Sequence, residues 1–386
     1  MATQAPASIF DPQLYEDVRA PAMRAGGLPF YTYTSDDWYD REMERIFSRD
    51  WIYVCRADEI PETGDYVFFE FLNEPIVVVR GKDMQIRAFS ASCRHRGTPI
   101  VHESGNCRVF RCPYHSWTYA LDGELLGGPP EMQETENFDK SAYGLIGIPC
   151  DAWDGFVFIN LDREAKSLTE FLGDLPEKLH NYDLDEMRCT ERWSYDLECN
   201  WKIYVENAME EYHVATVHQK TIQETLPMSV WSVEDDPQGS YMSMYGKMPG
   251  SLALLKGDVG LPAINTLGEK EANGSYIILT LPNTTFGFTI DTCWWLQVIP
   301  VSPERSEIRV GAAFPRTSVE RPDFEEIAQN YYKRWRTTLD EDNEISELQQ
   351  RGVRTRLNYR VGRISYRETL VHEIANYVLD RVLDDE

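Results

Sequence analysis

The sequence predicts an α+β chain of two domains, an all-β antiparallel domain followed by a mixed domain with a long antiparallel sheet. Three observations carry that expectation. At 386 residues the chain exceeds one ordinary domain, and 42% hydrophobic with 12% aromatic residues give it enough apolar surface for packed cores. Residues 51–162 read as short β-rich runs separated by turn signals. Beyond 162, long strand-like runs are interleaved with segments of helical periodicity.

Residues 1–50 read as a helical segment lying peripherally on the second domain. In "SDDWYDREMERIFSRDW", Ser35 is an N-cap, acids fill the first turn, and Trp38, Met43 and Ile46 are candidate apolar contacts. In the 51–162 domain, "DYVFFEFLNEPIVVVRGKDMQIRAFSASC" has the punctuation of antiparallel hairpins, and Asp122-Gly123 marks a tight turn between two strands. "GIPCDAWDGFVFINL" adds at least one more strand. In the 163–386 domain, "LECNWKIYVENAMEEYHVATVH" reads as a helix flanked by a strand, and "GSYIILTLPNTTFGFTIDTCWWLQVIPVSPERSEIRVGAAF" as long antiparallel strands. One or two helices run from near Asp323 to Gly352. A last helix places Leu370, Ile374, Tyr377 or Val378, and Val382 on one face.

A formal charge of −26 argues against nucleic acid, because phosphate binding rests on cationic neutralisation. The start, "MATQAPASIFDPQLYEDVRA", has no basic region followed by an apolar stretch, and no apolar run approaches the roughly 20 residues of a membrane span. A cytoplasmic protein is the expectation. In a reducing compartment the eight cysteines are thiols or metal ligands rather than a disulfide framework. Cys55, Cys150, Cys189, Cys199 and Cys293 are scattered singly and read as small buried hydrophobes.

The other three cysteines lie with three histidines in "CRHRGTPIVHESGNCRVFRCPYH" (93–115). Cys93-x-His95 and Cys112-x-x-His115 are two loops, each offering one thiolate and one imidazole. Tetrahedral zinc would accept such a set. The two loops, "CRHRG" and "CPYHSW", resemble the cluster-binding loops of Rieske proteins. The resemblance implies a 2Fe-2S cluster with one iron on Cys93 and Cys112 and the other on His95 and His115, and histidine ligation raises its reduction potential. Cys107 and His102 fit neither ligand position. Ser116 stands where many relatives have glycine.

A second motif, "NWKIYVENAMEEYHVATVH", places Glu210, His213 and His218 on the predicted helix. Histidines five residues apart are rotated by about 140° on an ideal helix, so they share a face only if the helix ends or distorts. The segment resembles the catalytic-iron segment of Rieske non-heme iron oxygenases, the terminal (alpha) subunits of the aromatic-ring-hydroxylating and quaternary-amine monooxygenase type. The resemblance implies a helix-grip (START-like) catalytic domain with a mononuclear Fe(II) held by a facial triad: His213, His218 and an aspartate near the start of a late helix. Asp342 matches best and Asp340 second. It makes Glu210 an inter-subunit electron-transfer bridge between the partner subunit's His115 and His213. Asn207 and Tyr212 match positions close behind the iron. Trp201, Trp294 and Trp295 are pocket or core residues.

The implied activity is hydroxylation or oxidative demethylation of a small organic substrate, using O2 and electrons from NAD(P)H through a separate reductase, with or without a ferredoxin. Dihydroxylation to a cis-diol is the alternative. Readings of another class are an electron carrier or ligand-binding iron–sulfur protein without oxygenase activity, and a zinc-stabilised module. The resemblance also implies a head-to-tail homotrimer. Arg94, Arg96, Arg108 and Arg111 against Glu103 make the 93–115 stretch basic, which suits docking of an acidic redox partner or packing around the loops.

Overall fold

The computed structural model describes residues 8–234, 237–355, 357 and 362–384. The extreme ends of the chain, 1–7 and 385–386, on which part of the terminal readings falls, lie outside the described residues. The chain forms two compact units, Ser48–Phe171 and the combination of Met1–Phe47 with Leu172–Glu386.

The Ser48–Phe171 unit is a set of small antiparallel sheets. Its strands are β1 (Ile52–Arg56), β2 (Asp65–Phe71), β3 (Glu74–Arg80), β4 (Ile86–Ser90), β5 (Gly105–Asn106), β6 (Phe110–Arg111), β7 (Thr118–Tyr119), β8 (Leu125–Gly127), β9 (Gly147–Ile148), β10 (Cys150–Trp153) and β11 (Phe156–Ile159). They pair in the orders β1-β11-β10, β5-β2-β3-β4-β9 and β6-β7-β8. Ile76, Val77, Val78 and Val79 of β3 are all buried, as in a strand covered on both faces. Val77, Phe89, Trp117, Tyr119 and Leu125 share one core cluster with Cys93 and Cys112, so the thiols emerge from the packed centre. At the Asp122-Gly123 turn, Gly123 has φ +89 and a Cβ would stand 2.6 Å from Phe89, so only glycine fits both backbone and space.

The larger unit opens with α1 (Asp36–Glu42), capped by Ser35, whose Oγ accepts from the Trp38 amide. The segment is less peripheral than expected: Trp38, Glu42 and Ile46 are fully buried, with Met43 half-buried. The next strands are β12 (Met187–Leu197), β13 (Trp231–Val233), β14 (Tyr241–Lys247), β15 (Gly274–Thr280), β16 (Thr284–Phe288), β17 (Cys293–Ser302) and β18 (Arg305–Pro315). They form one antiparallel sheet, β12-β18-β17-β16-β15-β14-β13. The unit's three longest helices among the described residues are α2 (Trp201–Ala208), α3 (Phe324–Val353) and α4 (Thr369–Val382). The late helical stretch is a single helix, and its face of Phe324, Ala328, Tyr331 and Trp335 packs with Ala312 and Phe314 of β18. Phe314 meets Tyr331 edge-on, ring centroids 5.1 Å apart. In α4 the buried face is Leu370, Ile374, Val378 and Val382, with Val378 rather than Tyr377 completing it. A long antiparallel sheet gripping one long helix is the arrangement expected for the second domain. No helix among the described residues is long and apolar enough to cross a membrane.

Candidate active site and metal centres

The two cysteine–histidine loops are built alike. In the first, the Gly97 amide donates to the Cys93 carbonyl (2.8 Å); in the second, the Ser116 amide donates to the Cys112 carbonyl (3.0 Å). Each turn closes on a left-handed residue, Gly97 at φ +79 and Ser116 at φ +60. The turns bring Cys93 and Cys112 together as one thiol pair. His95 and His115 form an imidazole pair, with Nδ1 atoms 3.1 Å apart. Tyr119 Oη lies 3.3 Å from Cys93 Sγ, and His95 stacks on Trp117 at 5.1 Å. His102 is exposed and Cys107 packs against the core cluster, so neither joins the four.

The second motif departs from the helical expectation. Helix α2 stops at Ala208, and Glu210, His213 and His218 occupy a turn-rich segment after it. The Thr216 and Val217 amides fold back onto the His213 carbonyl, and those of Thr221 and Gln223 onto that of His218. Leaving the helix removes the rotation that separated the imidazoles, whose ring centroids are now 5.0 Å apart. Asp342 also departs from expectation, sitting in the second half of α3 rather than near its start.

His213, His218 and Asp342 gather one ligand atom each within 4.8 Å of one another. Asp342 Oδ1 is 2.9 Å from His218 Nε2 and 3.6 Å from His213 Nε2. That oxygen is buried and accepts no hydrogen bond from a described residue. The opposite ring nitrogens are held by carboxylates: His213 Nδ1 by Glu210 Oε1 at 2.6 Å and His218 Nδ1 by Glu341 Oε2 at 2.7 Å. Thr221 Oγ1 donates to the same Glu341 oxygen at 2.7 Å. Such outer carboxylates fix the tautomer, so both Nε2 atoms present a lone pair inward. Burial alone would lower the His213 pKa, but the Glu210 hydrogen bond and the charges of Glu210, Asp342 and Glu211 outweigh it and raise it.

These sites fit iron differently. Metal bonds of about 2.1 Å at right angles separate neighbouring ligand atoms by about 3 Å, the scale seen around the orphaned Asp342 oxygen. Two imidazoles and one carboxylate on one side leave the other side open toward a cavity. The Cys/His set is instead sorted into a thiol pair and an imidazole pair. That suits a two-iron cluster with unlike ends better than one tetrahedral zinc.

The cavity beside the triad is lined by Asn207, Phe288, Trp294, Leu296, Arg334 and Thr338 among others. Trp294 reaches it because Gly287, its cross-strand partner, has no side chain; a Cβ there would stand 2.2 Å from the Trp294 ring. Trp201 and Trp295 are core residues instead. Asn207 lines the cavity from the last turn of α2, whereas Tyr212 is 55% exposed. Asp340 hydrogen-bonds Tyr195, away from the histidines.

Comparison with known proteins decides the family. Residues 184–384 match the ring hydroxylating alpha subunit (catalytic domain), and residues 50–139 match the Rieske [2Fe-2S] domain. The chain belongs to the ring-hydroxylating alpha-subunit family. This alpha subunit is a Rieske-type oxidoreductase whose cofactors are a Rieske 2Fe-2S cluster and a non-heme iron. It is 29% identical over 358 residues to the glycine betaine monooxygenase oxygenase subunit of Chromohalobacter salexigens, covering 84% of this chain and 79% of that one. Against the N,N-dimethyl phenylurea N-demethylase subunit alpha of a Sphingobium species it is 37% identical over 204 residues, 50% of this chain and 44% of that one. The quaternary ammonium Rieske monooxygenase CntA superposes with a TM-score of 0.80 at 25% identity, over 95% of this chain and 98% of that one. Ring-hydroxylating alpha subunits work with a substrate and a separate reductase.

Two residues that shape this alpha subunit's site escaped sequence reading. Glu341, the His218 partner, is hidden in the acidic run 340–342 beside Asp342. Arg334 had no signal, since a basic residue in an amphipathic helix ordinarily faces water.

Proposed function

We propose that this chain is the terminal oxygenase of a multicomponent system, inserting one oxygen atom into a C–H bond of a small organic substrate by hydroxylation or oxidative demethylation. The observation that carries the reading is the convergence of His213 Nε2, His218 Nε2 and Asp342 Oδ1 at one wall of a largely apolar cavity. His213, His218 and Asp342 would hold the mononuclear iron; Cys93 with Cys112, and His95 with His115, would hold the cluster. When bound, the cluster supplies single electrons and the iron supplies O2 activation. The protein's part is to hold both imidazoles by Glu210 and Glu341, keep three ligand atoms on one side, and line the cavity with apolar walls that exclude water.

Glu210 uses both carboxylate oxygens on His213, one on the ring and one on the backbone amide at 3.1 Å, and keeps lone pairs for another donor. That supports the family role of bridge, with His115 of the partner subunit as the second contact and a head-to-tail homotrimer as the assembly. Sedimentation should give a trimer; a fully active monomer would sink the bridge. Arg94, Arg96, Arg108 and Arg111 are exposed, which supports a docking face for an acidic reductase or ferredoxin. All eight cysteines are free thiols, which supports a cytoplasmic location.

The relatives support monooxygenation through the glycine betaine monooxygenase oxygenase subunit and the dimethyl phenylurea N-demethylase subunit. Dihydroxylation is the second reading, favoured by 37% identity over 185 residues to the 2-aminobenzenesulfonate 2,3-dioxygenase subunit alpha of an Alcaligenes species. A substrate screen with a surrogate reductase separates them by following O2 uptake with product mass. Gain of one oxygen or loss of a methyl as formaldehyde supports monooxygenation. Gain of two oxygens with two hydrogens replaces it by the second reading.

A further inference from the structure

Among the described residues, four charged ones other than histidine line the cavity: Glu210, Glu211, Arg334 and Asp342. Three have partners. Glu210 holds His213, Glu211 accepts from Arg367 Nη1 at 2.7 Å, and Asp342 faces the two imidazoles. The Arg334 guanidinium, with the residue only 9% exposed, makes no hydrogen bond and no ion pair with any described residue. A buried cation left in that state is costly, and arginine presents its donors as a planar fork matched to a carboxylate or similar oxyanion.

Two further groups on the same lining are also without partners. Trp335 Nε1, from the residue beside Arg334 on α3, and Thr285 Oγ1, from β16, are both buried and make no hydrogen bond to a described residue. The indole is a donor only, and the hydroxyl has a proton to give. So among the lining residues an arginine fork and two neutral donors are left without a partner from the described residues. Burial lowers the Arg334 pKa to about 10 even though Asp342 and Glu341 act to raise it, so nearby acids do not fully compensate the charge.

We propose that Arg334 is the anion-recognition residue of the substrate pocket, and that the substrate is a small organic acid whose carboxylate or sulfonate pairs with this guanidinium. Arg334 and Asp342 lie eight residues apart on α3, about 12 Å along the axis, so the acid group and the oxidised carbon belong to different ends of the molecule. The apolar and aromatic lining, Phe288, Trp294 and Leu296 among it, takes the hydrocarbon or aromatic portion. The assignment rests on reading this cavity as the oxygenase's substrate pocket.

The test is calorimetric binding to the holoenzyme, without reductase or O2, of benzoate, 3-phenylpropanoate and benzenesulfonate, each against its primary amide. Expected is at least one acid binding about tenfold or more tighter than its amide, a preference that Arg334→Gln abolishes and Arg334→Lys partly keeps. The carboxylate and sulfonate arms identify which oxyanion the pocket prefers. The proposal is overturned if every acid binds no tighter than its amide in the unmodified protein, a comparison that needs no variant to fold, or if the preference survives in Arg334→Gln. The oxygenase reading fails separately: an acid preference with no substrate-dependent O2 uptake under a surrogate reductase would leave an anion site and remove the reaction.

Discussion

Glu341 and Ser116 each carry a consequence that a single side chain decides. Glu341 Oε2 takes both the His218 ring proton and the Thr221 hydroxyl, so Glu341→Ala should free the imidazole to rotate and weaken iron binding about 10–100-fold. Iron retention against a chelator checks this, with cluster absorbance unchanged. Ser116 holds φ +60, a conformation that costs an L-residue about 1 kcal/mol or more, so Ser116→Gly should raise the temperature at which cluster absorbance is lost. At this scale legibility followed chemistry. Cysteine and histidine are rare enough that Cys93, His95, Cys112, His115, His213 and His218 stand out at their spacing. Glu341 and Arg334 belong to common surface types, and only their tertiary surroundings set them apart.

The elements that aim these residues depend on backbone details that periodicity does not report. A helix predicted through His218 meets no glycine or proline in "NAMEEYHVATVH" to stop it; the chain nevertheless turns after Ala208 and carries both histidines on tight turns. What anchors α2 is buried at its other end. Lys202 Nζ lies 2.7 Å from Glu42 Oε1, and the indoles of Trp38 and Trp201 both donate to Glu42 at 2.8 Å. Lys202→Met leaves buried Glu42 with its two indole donors but no counterion, and should destabilise the protein by about 3–5 kcal/mol in chemical denaturation. Adding Glu42→Gln should recover part of that loss. On the sheet, Gly287→Ala would drive a methyl into the Trp294 ring and should cost about 1–3 kcal/mol while reshaping the cavity wall. A thermal melt reads the cost. The strands themselves were legible from alternating apolar residues and turn signals; the Gly287–Trp294 pairing was not, since it needs the register between β16 and β17.

Across the whole molecule, the two-unit plan was readable because each motif sits in its own kind of secondary structure. The compact units divide after Phe47 and after Phe171, at edges that packing rather than composition sets. Stability of the larger unit should depend on pH through Asp291. Burial pushes its pKa up to about 7, against hydrogen bonds from Tyr331 and Thr289 that pull it down. Its folded pKa is above the unfolded value near 3.9, so its contribution is fully present below about pH 4 and is lost as pH rises through about 7. Asp291→Asn should flatten that part of the stability profile measured by denaturation between those limits.

The most direct measurement of the two-site assignment is metal and acid-labile sulfide analysis of the anaerobically purified protein beside its Asp342→Ala variant. The expected result is about three irons to two sulfides per chain, falling to about two irons in the variant with the reduced cluster's EPR signal intact. Zinc in place of sulfide-bearing iron, or a variant that keeps its third iron, would contradict it.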